Sequence, residues 1–499
     1  MDAPELPSHE VVVIGAGFGG IAAASRLRQM GIADIVVLEE ADDLGGTWRD
    51  NTYPGCACDV PSALYSYSFA PNPDWTRMYA GHAEIHAYLR RTADELGVTD
   101  AIRYGTRLES AVWDQDAQLW HLNTSAGTLT ARWVVAGCGP LHRPAVPDLP
   151  GIDTFEGTLF HSGQWDHGHE LTGRRVAVLG TGASAIQFVP EIQPVVESLI
   201  LLQRTAQWIL PKPDRSVGHI ERALYRRIPA TQRVMRRLTH AAFESATFGV
   251  RHPMLLRPLE RVSRAYMRRH INDPSLRRRM TVDFAMGCKR ILLSNRWYQA
   301  LAQPNVRVVD GHVREVRANS IVDGEGVEHP VDTLILATGY HAAAPPVAEL
   351  FLHADGRSMS EHFESGGAQA YLGTHVAGYP NLFILTGPNS FVYSSIVDVI
   401  EAQVERIALA VNFARHHNIG SISVSVAVQE TYNVELQEAL SRTVWASGCS
   451  SWFLNKDGRN TTMWPWSTGE LRRRMGDFDP TGFDLEPMRE GVPALNEQS

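Results

Sequence analysis

Two glycine-rich turns, Gly15-Ala16-Gly17-Phe18-Gly19-Gly20 and Gly180-Thr181-Gly182-Ala183-Ser184-Ala185, constrain this chain more than any other feature. Before the first runs Glu10-Val11-Val12-Val13-Ile14 and after it Ile21-Ala22-Ala23-Ala24-Ser25-Arg26-Leu27, so a buried-strand pattern enters the turn and a helical pattern leaves it. Residues 175–179 and the segment after the second turn repeat the arrangement. A strand that bends through glycines into a helix N-terminus presents backbone N–H groups to a pyrophosphate and lets it come close. At equal distances beyond each first glycine stand charges of opposite sign, Glu39 closing the strand pattern 34–39 and Arg204 closing 198–204. A carboxylate there accepts ribose hydroxyls, whereas an Arg suits a 2′-phosphate. The expectation is an α/β protein with two Rossmann-like units that hold two different dinucleotides.

Length and composition narrow the setting. At 499 residues the chain is long for one core and predicts two or three domains. With 44% hydrophobic and 20% charged residues it is ordinary for a globular protein. Cysteines stand at 56, 58, 138, 288 and 449, an odd number without a C-x-x-C pair, so neither a disulfide framework nor a dithiol redox centre is expected. Cys56 and Cys58 are read as small loop residues, and a reduced, cytoplasmic location fits. The acidic start at residues 1–5 carries no secretory signal, and no apolar run is long enough to span a bilayer. Net charge is −9, yet Arg226-Arg227, Arg236-Arg237, Arg268-Arg269 and Arg277-Arg278-Arg279 crowd one basic stretch. These paired arginines are read as a solvated face rather than a membrane-docking one. The acidic whole and the absence of a recognition module exclude nucleic acid. No H-E-x-x-H or comparable ligand spacing predicts a metal.

The expected plan is discontinuous. Residues 1–150 and 331–499 form the first dinucleotide-binding domain and residues 151–330 the second, with a helical subdomain inserted at about 212–286. Between the two units lies Phe155-x-Gly157-x-x-x-His161-x-x-x-Trp165-Asp166. This segment resembles the fingerprint of the type I Baeyer–Villiger monooxygenases at every defined position. The resemblance extends through Gly45-Gly46-Thr47-Trp48, Tyr53-Pro54-Gly55 leading to Asp59 and Tyr65, Gln203-Arg204-Thr205, Lys289-Arg290, Ala337-Thr338-Gly339-Tyr340 and Gly378-Tyr379-Pro380-Asn381. It covers nearly the whole chain and matches the shorter members of that family.

The resemblance implies FAD in the first domain, NADPH in the second, and a reaction with O2 that turns a ketone into an ester or lactone through a C4a-peroxyflavin. Sulfoxidation is a compatible side activity. The alternatives are a flavin monooxygenase that oxygenates nitrogen or sulfur, and a non-catalytic dinucleotide-binding protein; Trp165 with Arg290 favours the ketone reaction. Arg290 is implied as the fixed cation beside the flavin, in the manner of an oxyanion site, and Asp59 as the acid that orients it. Cofactor contacts are expected from Gly15, Gly17, Phe18, Gly20, Glu39, Gly46, Thr47, Trp48, Asp59, Tyr65 and Thr338 among residues of the first domain and its return. On the NADPH side they are expected from Gly180, Thr181, Gly182, Ala183, Ser184, Gln187, Arg204, Thr205 and Lys289. Trp452 matches a mobile-loop residue that folds over NADP⁺ and substrate. His161 is expected to couple the domains rather than to move protons.

Overall fold

The computed structural model describes residues 6–342, 345–353, 355–364, 366–449 and 451–489. Residues 1–5 and Ser450, which entered the reading of the N-terminus and of the C-terminal loop, lie outside them.

Strand Ser8–Ile14 is the spine of the larger sheet. It pairs in parallel with Ile35–Leu38 on one side and Gly127–Ala136 on the other. Val11, Val12 and Val13 are wholly buried, as a parallel strand covered on both faces requires. Gly127–Ala136 continues into an antiparallel meander with Leu119–Thr124 and Leu108–Asp114. Leu382–Ile384 returns from far along the chain to pair with Gly127–Ala136. Helix Phe18–Gln29 leaves the first glycine turn and packs against the long helix Ile396–His417. Without a Cβ, Gly20 lets this helix sit on the Gly15 carbonyl, where a side-chain carbon would lie 1.8 Å from the oxygen.

The second sheet is parallel throughout, ordered Val306–Asp310, Ser198–Gln203, Arg175–Leu179, Thr333–Leu336, Thr158–His161. It corrects the boundary expected at 330/331. Thr333–Leu336 hydrogen-bonds to both Arg175–Leu179 and Thr158–His161, so the chain completes this sheet before it returns to the first. Between the paired strands Ile209–Leu210 and Leu292–Leu293 the chain makes the helices His219–Arg227, Pro229–Arg251, Arg257–His270 and Pro274–Arg279. Arg236 fastens this block: its guanidinium donates to the carbonyls of Ala63, Leu64 and Ser66 and to buried Asp398.

A second correction concerns the cysteines. Cys288 and Cys449 form a disulfide with a Cα–Cα distance of 6.4 Å, joining segments 161 residues apart. Nothing in local spacing signals such a pair, because folding alone brings the two thiols together. Cys56, Cys58 and Cys138 are free. Among the described residues no helix is long and apolar enough to cross a membrane.

Candidate active site

The first glycine turn opens onto a cavity of about 630 Å³, within the range that holds a cofactor. Gly15, Gly17, Phe18, Glu39, Gly46, Thr47, Trp48 and Tyr65 all line it. Gly17 and Gly46 lie next to each other, a Cβ on Gly17 standing 3.9 Å from the Gly46 Cα, and without side chains both present bare backbone to the cavity. Glu39 is buried at the end of its strand. Its carboxylate accepts from the Ala16 and Ala41 amides and from Arg49 at 2.8 Å. Arg49 therefore neutralises an acid that would otherwise be stranded in the fold. On the opposite wall the Trp48 indole donates to the Tyr65 hydroxyl at 3.1 Å, and the two rings meet edge to face. Backbone cradle, anchored acid and aromatic wall fit an adenine dinucleotide that carries a flat ring system.

The second turn lies at the end of Arg175–Leu179, with Gly180 at φ +113°. A Cβ there would also strike the Ala337 carbonyl at 2.4 Å. Gly182 and Ala183 are exposed, and Ser184 precedes the helix Ala185–Ile192, so the N–H groups of that turn are open to a ligand. Nearby, Lys289 donates to the Thr205 hydroxyl at 3.0 Å and rests over the Phe284 ring. Burial, and then the neighbouring charge of Arg204, depress its pKa below the ordinary lysine value. Two cations and a hydroxyl thus converge, and among the described residues no carboxylate lies within ion-pair distance of either cation. Asp283 acts on Lys289 only at a distance, and two cations with no direct ion pair fit a phosphate.

Arg290 and Asp59 form the third element, their Nε–Oδ2 distance being 2.7 Å. About a third of each side chain is exposed, so the pair is half-buried and open to a small molecule. Burial would raise the Asp59 carboxyl, but the charge and hydrogen bond of Arg290, aided by Lys212, hold it below its usual value. Asp59 in turn holds the Arg290 guanidinium protonated against its own desolvation. Neither residue lines the cavity itself, but Tyr65, which does, feels the charge of both.

Several predicted residues serve other roles. Gly20 packs helix on turn and does not line the cavity. The Gln187 amide is engaged by the first unit: its oxygen accepts from Tyr53 and the Ala57 amide, and its nitrogen donates to the Ala57 carbonyl. Gln187 thus latches the second unit to the first. The Thr338 hydroxyl donates to the Ala145 carbonyl at 2.6 Å, and the residue lies outside the cavity wall. His161 is buried, accepts from the Gly163 amide and meets Tyr340 edge to face. Burial lowers its pKa, which keeps the ring neutral. Trp165 packs between Phe160 and Phe188. Trp452 is well exposed on the loop after Cys449 and touches Phe391.

Sequence reasoning missed Lys212, Tyr393 and Arg49. Lys212 donates to the Cys58 carbonyl at 3.1 Å and stacks on Tyr79. Tyr393 donates to the Gly287 carbonyl at 2.6 Å, steadying the segment that carries Arg290. Only Arg49 had a local signal, being adjacent to Trp48. A cluster of His353, Asp355 and His362 also escaped notice, its ligand atoms lying within 4.8 Å of one another. Arg357 already pairs with that Asp355 carboxylate at 2.7 Å.

Residues 8–360 match the family described as flavin-binding monooxygenase-like. A protein of Streptomyces coelicolor named Baeyer–Villiger monooxygenase is 46% identical over 95% of this chain and 92% of its own length. One of the same name from Pseudomonas aeruginosa is 43% identical over 98% of this chain and 96% of its own. Among solved structures, an oxidised steroid monooxygenase bound to NADP superposes with a TM-score of 0.85 at 28% identity, covering 96% of this chain and 99% of that one. A closed cyclohexanone monooxygenase does so with a TM-score of 0.85 at 27% identity, covering 97% and 100%.

Proposed function

The chain belongs to the flavin-binding monooxygenase-like family, and on that premise we propose that it is a Baeyer–Villiger monooxygenase that uses FAD, NADPH and O2 to convert ketones to esters or lactones. We assign residues 1–150 and those from about 337 onward to FAD, and residues 151–336 to NADPH, in a cytoplasmic enzyme. The observation that carries the reading is the half-buried Arg290–Asp59 pair beside Tyr65.

When bound and reduced by NADPH, FAD would supply the activation of O2, one atom of which goes to the ketone while the other leaves as water. The protein's part is electrostatic and positional. As the ketone is attacked, negative charge develops on its carbonyl oxygen, and the Arg290 guanidinium meets that charge without having to reorganise. Asp59 fixes its orientation through Nε, which leaves the terminal nitrogens to face the substrate. An Arg keeps its proton in such a half-dry site where a Lys loses it more readily. Glu39 holds the adenosine ribose of FAD, and Gly17, Gly46 and the aromatic wall hold the remainder. Arg204, Lys289 and Thr205 hold the 2′-phosphate of NADPH, and Trp452 closes over the nicotinamide side.

Steady-state kinetics on the purified yellow protein test this. NADPH should bleach the flavin far faster than NADH does, and replacing both Arg204 and Lys289 by Ala should erase the preference. Arg290→Ala should retain FAD while ester formation falls by about 10²-fold or more. Ester formation unchanged in that variant would remove Arg290 from the chemistry; a substrate panel of ketones, amines and sulfides read by product analysis separates the oxygenation classes.

A further inference from the structure

The arginine-rich helices, read from sequence as a solvated face, carry an outward surface of the opposite character. On the helix Pro229–Arg251, Gln232, Thr239, Thr247 and Val250 are buried and Arg236 points to Asp398, which fixes the inner side. Facing away are Val234, Leu238, Ala241, Ser245 and Phe248, spaced by alternate fours and threes along one line. Val234 is 53%, Leu238 62% and Phe248 53% exposed. The stripe runs on into the next turn with Met254 at 72% and Leu255 at 56% exposed. A solvated helix shows only its polar side to water, whereas this one also exposes an apolar stripe beside its arginines.

Charge decides what covers it. Between residues 219 and 270 the chain holds twelve Arg and three Glu, in a protein whose net charge is −9. All three acids are engaged: Glu221 with Arg215, Glu244 with the Thr468 amide, and Glu260 with Arg264 and the Met286 amide. Arg233, Arg237 and Arg251 flank the apolar stripe on one side, and among the described residues none has a carboxylate within ion-pair distance. A second copy laid on this stripe would set arginines against arginines with no free acid to answer them. An anionic bilayer matches both features, since apolar side chains enter the acyl boundary while arginine stems lie along it and their heads reach lipid phosphates.

We propose that the outer face of Pro229–Arg251 and the turn after it is a peripheral docking surface for anionic membranes. The full-length FAD-bound enzyme should sediment with vesicles of phosphatidylcholine and phosphatidylglycerol and not with phosphatidylcholine alone. Binding should weaken as salt rises toward about 1 M, where screening confines charges to about 3 Å. Replacing both Leu238 and Phe248 by Glu should cut vesicle binding by about tenfold or more while turnover of a water-soluble ketone stays unchanged, which also certifies the fold. Arg233→Glu with Arg237→Glu should do the same through charge alone. Absence of sedimentation with anionic vesicles overturns the proposal. So does a dimer in light scattering that the Leu238→Glu, Phe248→Glu variant dissolves, or stable capture of an acidic protein on the same face with no vesicle binding.

Discussion

Asp59 and Arg290 compensate each other's loss of water. Alone, burial would neutralise the acid; the guanidinium keeps it ionised below its ordinary pKa. A folded-state pKa below the unfolded one contributes stability above the unfolded value near 3.8, and that stability disappears as pH falls through the folded one. Lys212 is a further cation acting on Asp59. Removing it should raise the Asp59 pKa, so the acid limb of the activity profile in Lys212→Met should move to higher pH, whereas Lys212→Arg should restore it. A pH series of ester formation decides; superimposable limbs in Met and wild type would end the assignment. Legibility differed sharply at this scale. Glu39 and Arg204 follow from their distance to a glycine turn, a property of a few consecutive residues. The Asp59–Arg290 contact, between residues 231 apart, was reached through resemblance alone. Lys212 had neither support, because its reach to the Cys58 carbonyl exists only after the chain has folded.

Elements carry the site through a few junctions. The turns at Gly15 and Gly180 were readable because a strand, a bend and a helix must be adjacent in sequence to work. The fingerprint was readable too, and its Trp165 packs inside the second unit, between Phe160 and Phe188. The Cys288–Cys449 bond was unreadable. It attaches the segment of Lys289 and Arg290 to the loop of Trp452, so it restrains two sides of the proposed pocket at once. In the chain-entropy account a closed loop of 161 residues contributes about 5 kcal/mol. Cys449→Ser should therefore melt several degrees lower, and added dithiothreitol should lower the melting temperature of the wild type toward it while leaving the variant unmoved. Identical melting curves with and without reductant would exclude a structural bond.

The two large sheets lie in units cross-tied by Arg236 and Lys212 and by a shared apolar core. Gln187 holds the Tyr53–Ala57 loop, and Thr52 meets His167 at 2.7 Å. Gln187→Ala should loosen the latch by about 1 kcal/mol per lost bond. FAD content should be retained, while NADPH consumed per ester formed should rise; a stoichiometry equal to wild type would show that the latch does not govern coupling. None of these cross-ties was legible, since each depends on how one folded unit meets the other. The two chain crossings between the units are themselves joined. The Ala145 amide donates to the Gly339 carbonyl, the His341 amide to the Arg143 carbonyl, and the Thr338 hydroxyl to the Ala145 carbonyl. The two crossings are thus held to each other rather than left as independent linkers, so a change made in one, such as Thr338→Val, is expected to be felt at the other.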